Sequence, residues 1–559
     1  MSDRCQPVLV LGAGINGCAI ARELLLSGVD VWLVDQADLA SGATAGSSRL
    51  IHGGLRYLEY GELDLVRESL EERTRLFRLA PQFVHPLRLW IPSSNRLGGT
   101  IAAIGRFFGW RWWPQPVPSG GRGAWLISTG LQVYDAYARD DTLAKHKTFG
   151  VPTPGAPAVD PRRYRWLSAY YDGQVVFPER LLVAMLADAQ AVANERGHEF
   201  RLFTYHQASR RGEHVDLRPL GTKDTAEVAA SLRPSLIVNA TGAWVDETLA
   251  RLDIHSQRLM GGTKGSHLFT FSSKLRQALA GQGIYAEAAD GRPIFIIPLA
   301  DTILVGTTDE RFEDSPSTAQ ASQHEIEYLI DAVNQIVPEA RLSRADVNFH
   351  YSAVRPLPFV DAASTAAITR RHWLVENDSG GIPLISVVGG KLTTMRSLAQ
   401  STAATVLTRL NRKPIANSQE RIIPGGENYP ASEAALESAW TAIAERNGLS
   451  RSSVAATWRL YGTLTESILS DSAGSQLLAD TVLPHCLVTR AVEREWARSL
   501  ADLVERRLML LYHQRLTRAC LEQLARALAR AGLVAEHEIT SCVEAEIERL
   551  KAHYGKIVE

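Results

Sequence analysis

The chain has 559 residues, enough at roughly 150 residues per domain for three or four folding units. Lys+Arg total 60 against 61 Asp+Glu, a formal net charge of -1, which excludes a protein coated in positive charge for nucleic acid. A content of 45% hydrophobic and 22% charged residues excludes a disordered chain, and no apolar run reaches the length of a membrane-spanning helix.

Residues 8–11 are a short apolar run, predicted as a buried strand. They lead into Gly12-Ala13-Gly14-Ile15-Asn16-Gly17 and a helical stretch through Leu26 that stops at Gly28. A second apolar run, 29–34, closes with Asp35. This is strand, glycine-rich turn, helix, strand, acid. Gly12 makes the tight turn, Gly14 lets a pyrophosphate approach the backbone, and Gly17 lets the helix lie close to the strand. The helix N-terminus offers free N–H groups to phosphate, and Asp35 can accept from a ribose hydroxyl. The unit predicts dinucleotide binding without separating NAD from FAD. It starts so near Met1 that no signal peptide is expected ahead of it.

From 41 to 59 the chain reads Ser-Gly-Ala-Thr-Ala-Gly-Ser-Ser-Arg-Leu-Ile-His-Gly-Gly-Leu-Arg-Tyr-Leu-Glu. Small residues such as Ser47 and Ser48, and the pair Gly53-Gly54, permit close approach to a flat or phosphorylated ligand. Residues 73–134 contain eight arginines and no acid. At the centre of that stretch lies Gly105-Arg106-Phe107-Phe108-Gly109-Trp110-Arg111-Trp112-Trp113, followed by a Pro/Gly-rich loop to Gly123. Basic charge mixed with Trp suits an anionic lipid surface, where the rings lodge at headgroup depth. The same composition suits an aromatic hairpin packed on its own domain or on a partner subunit.

Further on, 235–242 gives an apolar strand ending in Asn239-Ala240-Thr241-Gly242. Residues 293–299 and 302–306 are predicted strands, as is 384–388, which runs into Gly389-Gly390-Lys391-Leu392-Thr393-Thr394 at the opening of a helix. Residues 411–430, with Pro414, Pro424, Gly425 and Gly426, are the clearest linker. Beyond it the chain turns helical, with Asn447-Gly448 as a helix stop. Val492, Trp496, Leu500, Val504 and Leu508 recur every fourth residue as a buried stripe, with Glu493, Arg494, Arg498 and Asp502 expected outside. The five cysteines are scattered without a CxxC pair, which favours reduced cytosol, and no His/Cys cluster has metal spacing.

Taken together these segments resemble the flavin-dependent glycerol-3-phosphate dehydrogenases of the aerobic, bacterial type. The resemblance rests on Leu50-Ile51-His52-Gly53-Gly54-Leu55-Arg56-Tyr57-Leu58, Lys264-Gly265-Ser266-His267, Gly306-Thr307-Thr308-Asp309, Val354-Arg355-Pro356-Leu357, Ala367-Ile368-Thr369-Arg370 and Gly389 to Thr394, in the same order and spacing. Val492-Glu493-Arg494-Glu495-Trp496 with Arg506-Arg507 resembles that family's C-terminal helical domain.

The resemblance implies FAD as cofactor and oxidation of sn-glycerol 3-phosphate to dihydroxyacetone phosphate, with electrons passed to a membrane quinone. It implies an α/β fold: a Rossmann-like FAD-binding domain (1–75, 170–262, 355–412) interleaved with an α+β substrate-side cap (76–169, 263–354). A linker (413–430) and a C-terminal α-helical domain (431–559) complete it. The phosphate dianion calls for Arg56, Arg355 and Arg370, with Thr308 and His267 as polar companions. Lys391 suits the negative charge that gathers on a reduced flavin. His52 and His267 are the candidates for the base, with His52 favoured because His-Gly-Gly permits close approach to the flavin. Arg355, always charged, is assigned to charge recognition. The cofactor contacts expected are Gly12, Gly14, Gly17, Asp35, Ser47, Ser48, His52, Gly53, Gly54, Thr241, Gly242, Gly390, Lys391, Leu392 and Thr393.

Two positions depart from the family pattern. Phe177-Pro178-Glu179 stands before Arg180-Leu181 where relatives commonly carry an acidic pair, and Arg49 stands where lysine is usual. The stretch carrying Trp110, Trp112 and Trp113 is longer than in the relatives. It makes a peripheral position on the cytoplasmic face of the inner membrane the expectation, and a homodimer is a further expectation about partners. A glycerol-phosphate oxidase using oxygen, an amine or amino-acid oxidase on the same fold, and a flavin-containing sensor without turnover are the competing readings. The joint presence of Arg56, His267, Arg355, Arg370 and Lys391 speaks against the last.

Overall fold

The computed structural model describes residues 6–96, 123–138, 143–221, 228–360, 371–378, 381–471 and 476–559. Its first sheet has six strands in the order Trp373–Asn377, Leu384–Val388, Leu236–Asn239, Val8–Leu11, Val31–Val34, Phe200–Phe203. All neighbours run parallel except Trp373–Asn377, an antiparallel edge. Val8–Leu11 and Leu236–Asn239 are buried at every position, because layers cover both faces of a parallel sheet and leave no polar side to alternate with. Helices Ile15–Leu26, Pro178–Arg196 and Met395–Arg409 cover one face. A three-stranded sheet (His206–Arg211, His214–Pro219, Ala230–Leu232) and helix Val245–Arg251 cover the other.

The second sheet has ten strands. Thr263–Thr270 lies inside it, antiparallel to Thr302–Gly306 on one side and Val347–Arg355 on the other, and is buried throughout. Val84–Ser93 pairs along its whole length with Trp166–Val175, which also takes the short strand Leu50–Ile51. The expected boundary at residue 170 therefore falls inside a strand of the cap. The chain returns to the first unit at helix Pro178–Arg196, whose first turn opens with a proline.

The stretch expected as a linker is a packed strap. Ile423 is buried, Arg421 is bonded to Asp188, and Gln82 donates to the carbonyls of Ile423 and Pro424. Helices Glu433–Asn447, Arg451–Tyr461, Cys486–Arg494, Arg518–Arg530 and Ile539–Tyr554 follow, the first stopped by Gly448 in the left-handed conformation. The expected stripe from Val492 to Leu508 is interrupted. The helix ends at Arg494, Trp496 has φ +58, and Asp502–Arg507 is a π-turn. Asp502, expected outside, is completely buried, because it is bonded within the protein rather than to water. The tail shares one apolar core with the cap: Phe269, Phe349 and Tyr351 pack in the same cluster as Leu503, Leu511 and Leu524.

Candidate active site

The main cavity, about 510 Å³, opens beyond the carboxyl ends of Val8–Leu11, Val31–Val34 and Leu384–Val388. That is where an open parallel sheet receives ligands. Its floor is the glycine-rich turn. Gly12 has φ +98, and a side chain there would strike the Ala240 carbonyl at 2.6 Å. A Cβ on Gly17 would lie 1.8 Å from the Gly12 oxygen, so this glycine serves helix–strand contact and does not line the cavity. Gly14 caps helix Ile15–Leu26 without a side-chain bond, and the first free N–H, that of Ile15, donates to Thr44 Oγ1 (3.0 Å).

Asp35 closes this end. Its Oδ2 accepts from Ala13 N–H (2.6 Å) and its Oδ1 from Ala37 N–H (2.8 Å), and each oxygen keeps a lone pair for a hydroxyl. Burial, helped by nearby Asp38, raises its pKa to about 6. Asn16 Oδ1 is buried on the cavity wall with no hydrogen-bond partner. Gly14, Gly242 and Gly390 line the cavity near it, Gly242 and Gly390 with φ of +62 and +106. A helix whose cap residue has no side chain and walls of glycine fit a pyrophosphate, while the orphaned Asn16 acceptor calls for a donor such as a ligand hydroxyl.

Two cations, Arg355 and Lys391, and two histidines, His52 and His267, also line the cavity. Arg355 Nη1 donates to Asp309 (3.0 Å) and Thr263 Oγ1 (3.3 Å), and Nη2 to Thr307 Oγ1 (2.8 Å) and the Thr308 carbonyl (2.9 Å). The guanidinium is thereby fixed in direction before any ligand arrives. His267, from Thr263–Thr270, is buried, with Nε2 against Ser48 Oγ (2.9 Å) and Nδ1 without a partner. Burial first, then the charges of Arg355 and Arg49, hold its pKa well below the usual imidazole value, so the ring is neutral. Lys391 Nζ donates to Ser69 Oγ (2.7 Å) and lies 4.4 Å from the centre of the Tyr57 ring. His52 also lines the cavity, its backbone N–H and carbonyl both bonded to Thr393 Oγ1.

Gly12, Gly14, Asp35, Ser47, Ser48, His52, Thr241, Gly242, His267, Arg355 and the run Gly390, Lys391, Leu392, Thr393 thus meet around one cavity. Four expected contacts need correction: Gly17, as above, and Gly53, Gly54 and Thr308. Gly53 and Gly54 do not line it. A Cβ on Gly53 would sit 2.5 Å from Tyr134 Oη, and Gly54 has φ +78, so these glycines fold the loop against helix Ala124–Ala138. Thr308 points away: its hydroxyl accepts from Ser266 N–H and donates to Glu325, and only its carbonyl serves Arg355. The side chain of Arg56, and the whole of Arg370, Trp110, Trp112 and Trp113, lie outside the described residues.

Sequence reasoning missed Asn16, Thr44, Trp244 and Phe295 on the walls, and Asp309 behind Arg355. Asn16, Asp309 and Thr44 stood inside quoted motifs. For Trp244 and Phe295 no local signal existed. Among the described residues no group of three or more His, Cys, Asp or Glu side chains could hold a metal.

Residues 7–396 match the FAD dependent oxidoreductase (DAO) family. A glycerol-3-phosphate dehydrogenase of Synechocystis sp. is 35% identical over 528 residues, covering 91% of this chain and 89% of the relative. A D-erythritol 1-phosphate dehydrogenase of Brucella abortus is 31% identical, covering 89% and 93%. The solved structure of the glycerol-3-phosphate dehydrogenase from Bacillus halodurans complexed with FAD has the same fold. Its TM-score is 0.72 at 22% identity, over 99% of this chain and 96% of that one.

Proposed function

The chain belongs to the FAD-dependent glycerol-3-phosphate dehydrogenase family, and on that premise we propose that it oxidises sn-glycerol 3-phosphate at C2 to dihydroxyacetone phosphate and passes the electrons to a quinone. FAD, when bound, supplies the hydride-accepting chemistry. The observation that carries the substrate reading is the pairing, on one wall, of a fixed guanidinium with a neutral buried histidine. Arg355, whose Nη hydrogens are held by Asp309, Thr263, Thr307 and Thr308, draws the phosphate dianion by its charge, with Lys391 as a second cation.

We place the proton acceptor at His267 rather than His52. If His267 donates Nε2–H to Ser48, its Nδ1 carries the ring's lone pair. No described residue is bonded to that atom. The C2 hydroxyl proton passes to His267, whose ring lines the cavity beside Ser48, and Arg355 then steadies the substrate through its phosphate rather than acting as a base. His52, whose backbone is pinned by Thr393, serves as wall.

The quinone reading draws on the arginine- and tryptophan-rich stretch, which would bring the enzyme to the cytoplasmic face of a membrane. Trp125, at the start of helix Ala124–Ala138 that follows the stretch, is 55% exposed. No helix among the described residues is long and apolar enough to cross a membrane. A second substrate, D-erythritol 1-phosphate, has the same phosphate and secondary alcohol, and the named Brucella relative makes it the comparison of choice.

The test is anaerobic mixing of the FAD-loaded enzyme with each polyol phosphate. Glycerol 3-phosphate should bleach the flavin, and His267→Gln should slow that phase by about a hundredfold or more. No bleaching would refute the substrate, and an unchanged rate in the variant would refute the acceptor. Reoxidation by a quinone analogue without hydrogen peroxide separates a dehydrogenase from an oxidase.

A further inference from the structure

The pair Arg506-Arg507, prominent in the sequence, has no part in the chemistry above. It lies in the helical tail, and none of residues 498–507 lines the cavity. Both arginines end on one carboxylate. Asp38, 1% exposed, accepts from Arg506 Nε (2.6 Å) and from Arg507 Nη1 (3.0 Å) and Nη2 (2.8 Å). Asp38 directly follows Asp35, Gln36 and Ala37, which form one wall of the cavity.

The neighbouring wall is His206, Gln207 and Ala208. The two walls are tied to each other, with His206 N–H on the Asp35 carbonyl (2.9 Å) and Tyr205 N–H on the Ala37 carbonyl (3.2 Å). Tyr205 in turn donates its hydroxyl to Asp502, which also accepts from Ser499 Oγ (2.7 Å) and from the N–H groups of Arg498 (2.8 Å) and Ser499 (3.1 Å). The π-turn Asp502–Arg507 is the geometry that places Asp502, Arg506 and Arg507 on one side, and such turns cluster at functional sites. One short tail segment therefore holds both strips of chain that build this end of the cavity. Its bonds to Asp38 are charge-assisted and buried, so they are strong and directional.

We propose that residues 498–507 are a cofactor clamp: by gripping Asp38 and Tyr205 they fix the Asp35–Ala37 and His206–Ala208 walls, so that FAD retention depends on docking of the C-terminal domain. The proposal rests on the reading that the Asp35 end of the cavity receives the dinucleotide. Linkage makes the effect mutual, so that bound FAD holds the tail in place as firmly as the tail holds FAD.

The test compares two matched losses in the full-length FAD-loaded protein. Arg507→Met takes one of two arginines from buried Asp38, and Arg22→Met takes one of two from buried Asp188, which Arg22 and Arg421 share away from the cavity. FAD release is followed by flavin fluorescence after dilution, and thermal unfolding is recorded on the same samples. Arg507→Met should raise the Kd for FAD about tenfold. Arg22→Met should lower the melting temperature comparably with FAD affinity kept. Tyr205→Phe, which removes one hydroxyl and no charge, should weaken FAD binding in the same direction and serves if Arg507→Met does not fold. FAD affinity within twofold of wild type in the folded clamp variants would overturn the proposal, as would equal loss in Arg22→Met. Asp35→Asn is the last arm. If it too leaves FAD affinity unchanged, the reading of that end of the cavity fails, and the clamp with it.

Discussion

Arg49 shows how much one side chain can be asked to join. It is wholly buried, has φ +56, and uses its guanidinium on five partners from separate parts of the chain. Nη1 and Nη2 meet the two oxygens of Glu179 (3.1 and 2.5 Å), Nη1 also meets the Val176 carbonyl, and Nη2 the Ala45 carbonyl and Tyr512 hydroxyl. Nε reaches Tyr351. The two positions expected to depart from the family pattern meet here: Arg49 faces Glu179, which follows Pro178 in the first helical turn. A lysine has a point charge and no planar fork, so it could not make the paired contact. Arg49→Met alone leaves Glu179 charged and dry and should cost about 3–5 kcal/mol. Adding Glu179→Leu should return most of it. Urea unfolding of the FAD-loaded single and double variants is the measurement, and equal losses in both would show that the pair is not the source of the stability.

Strand Thr263–Thr270 holds the proposed proton acceptor between its two neighbours. His267 stands opposite Gly306 on one side and Tyr351 on the other, and Thr263 opposite Arg355. The glycines facing these groups are spaces for them. A Cβ on Gly306 would meet the His267 ring at 2.2 Å, and one on Gly265 would meet Arg355 Nη2 at 2.0 Å. Gly265→Ala should therefore push the guanidinium off Asp309 and Thr307, at the cost of a charge-assisted contact to phosphate, about 1.5–3 kcal/mol. Steady-state kinetics should show KM for glycerol 3-phosphate raised by about tenfold or more, with flavin content unchanged. An unaltered KM would remove Arg355 from phosphate recognition. The strands at 293–299 and 302–306 were readable in the sequence as runs, but the pairing that aims Arg355 past Gly265 was not. At the other end of the chain, the four-residue repeat from Val492 suggested one helix because its apolar spacing was right. The chain leaves the helix at Glu495, which is bonded to buried Arg180, and Trp496 has positive φ.

On the scale of the whole molecule, a net charge of -1 conceals a strongly uneven distribution. Cations line the cavity and recur along the acid-free stretch 73–134. Helix Ala124–Ala138, at the end of that stretch, exposes Trp125 and Val133 while Tyr134 on its inner side bonds Gly53 N–H (2.9 Å) beside His52. Replacing Trp110, Trp112 and Trp113 together with alanine should abolish co-sedimentation with anionic liposomes at low salt while leaving turnover with a soluble acceptor intact. Equal sedimentation of variant and wild type would refute a membrane role for the stretch. The cap and the helical tail share one core, and the 411–430 strap is packed rather than free. The tail is thus part of the catalytic body in packing terms, which is what lets it reach the cofactor walls.

The sequence by itself determined dinucleotide binding and fourteen of the residues around the cavity, and its resemblance to a family carried FAD and the interleaved α/β architecture. The dinucleotide motif is written locally. A glycine with positive φ, a helix N-terminus and an acid after the next strand lie within a few dozen residues, and backbone sterics fix their relation before distant contacts form. Tertiary structure alone decided what the side chains do there. It neutralised His267, turned Thr308 inward, made Gly53 a packing residue and gave Arg506 and Arg507 a task. Charge state and hydrogen-bond partner depend on which groups share a water-free neighbourhood, and Asp38 finds Arg506 across 468 residues of chain. No periodicity along the sequence encodes that meeting.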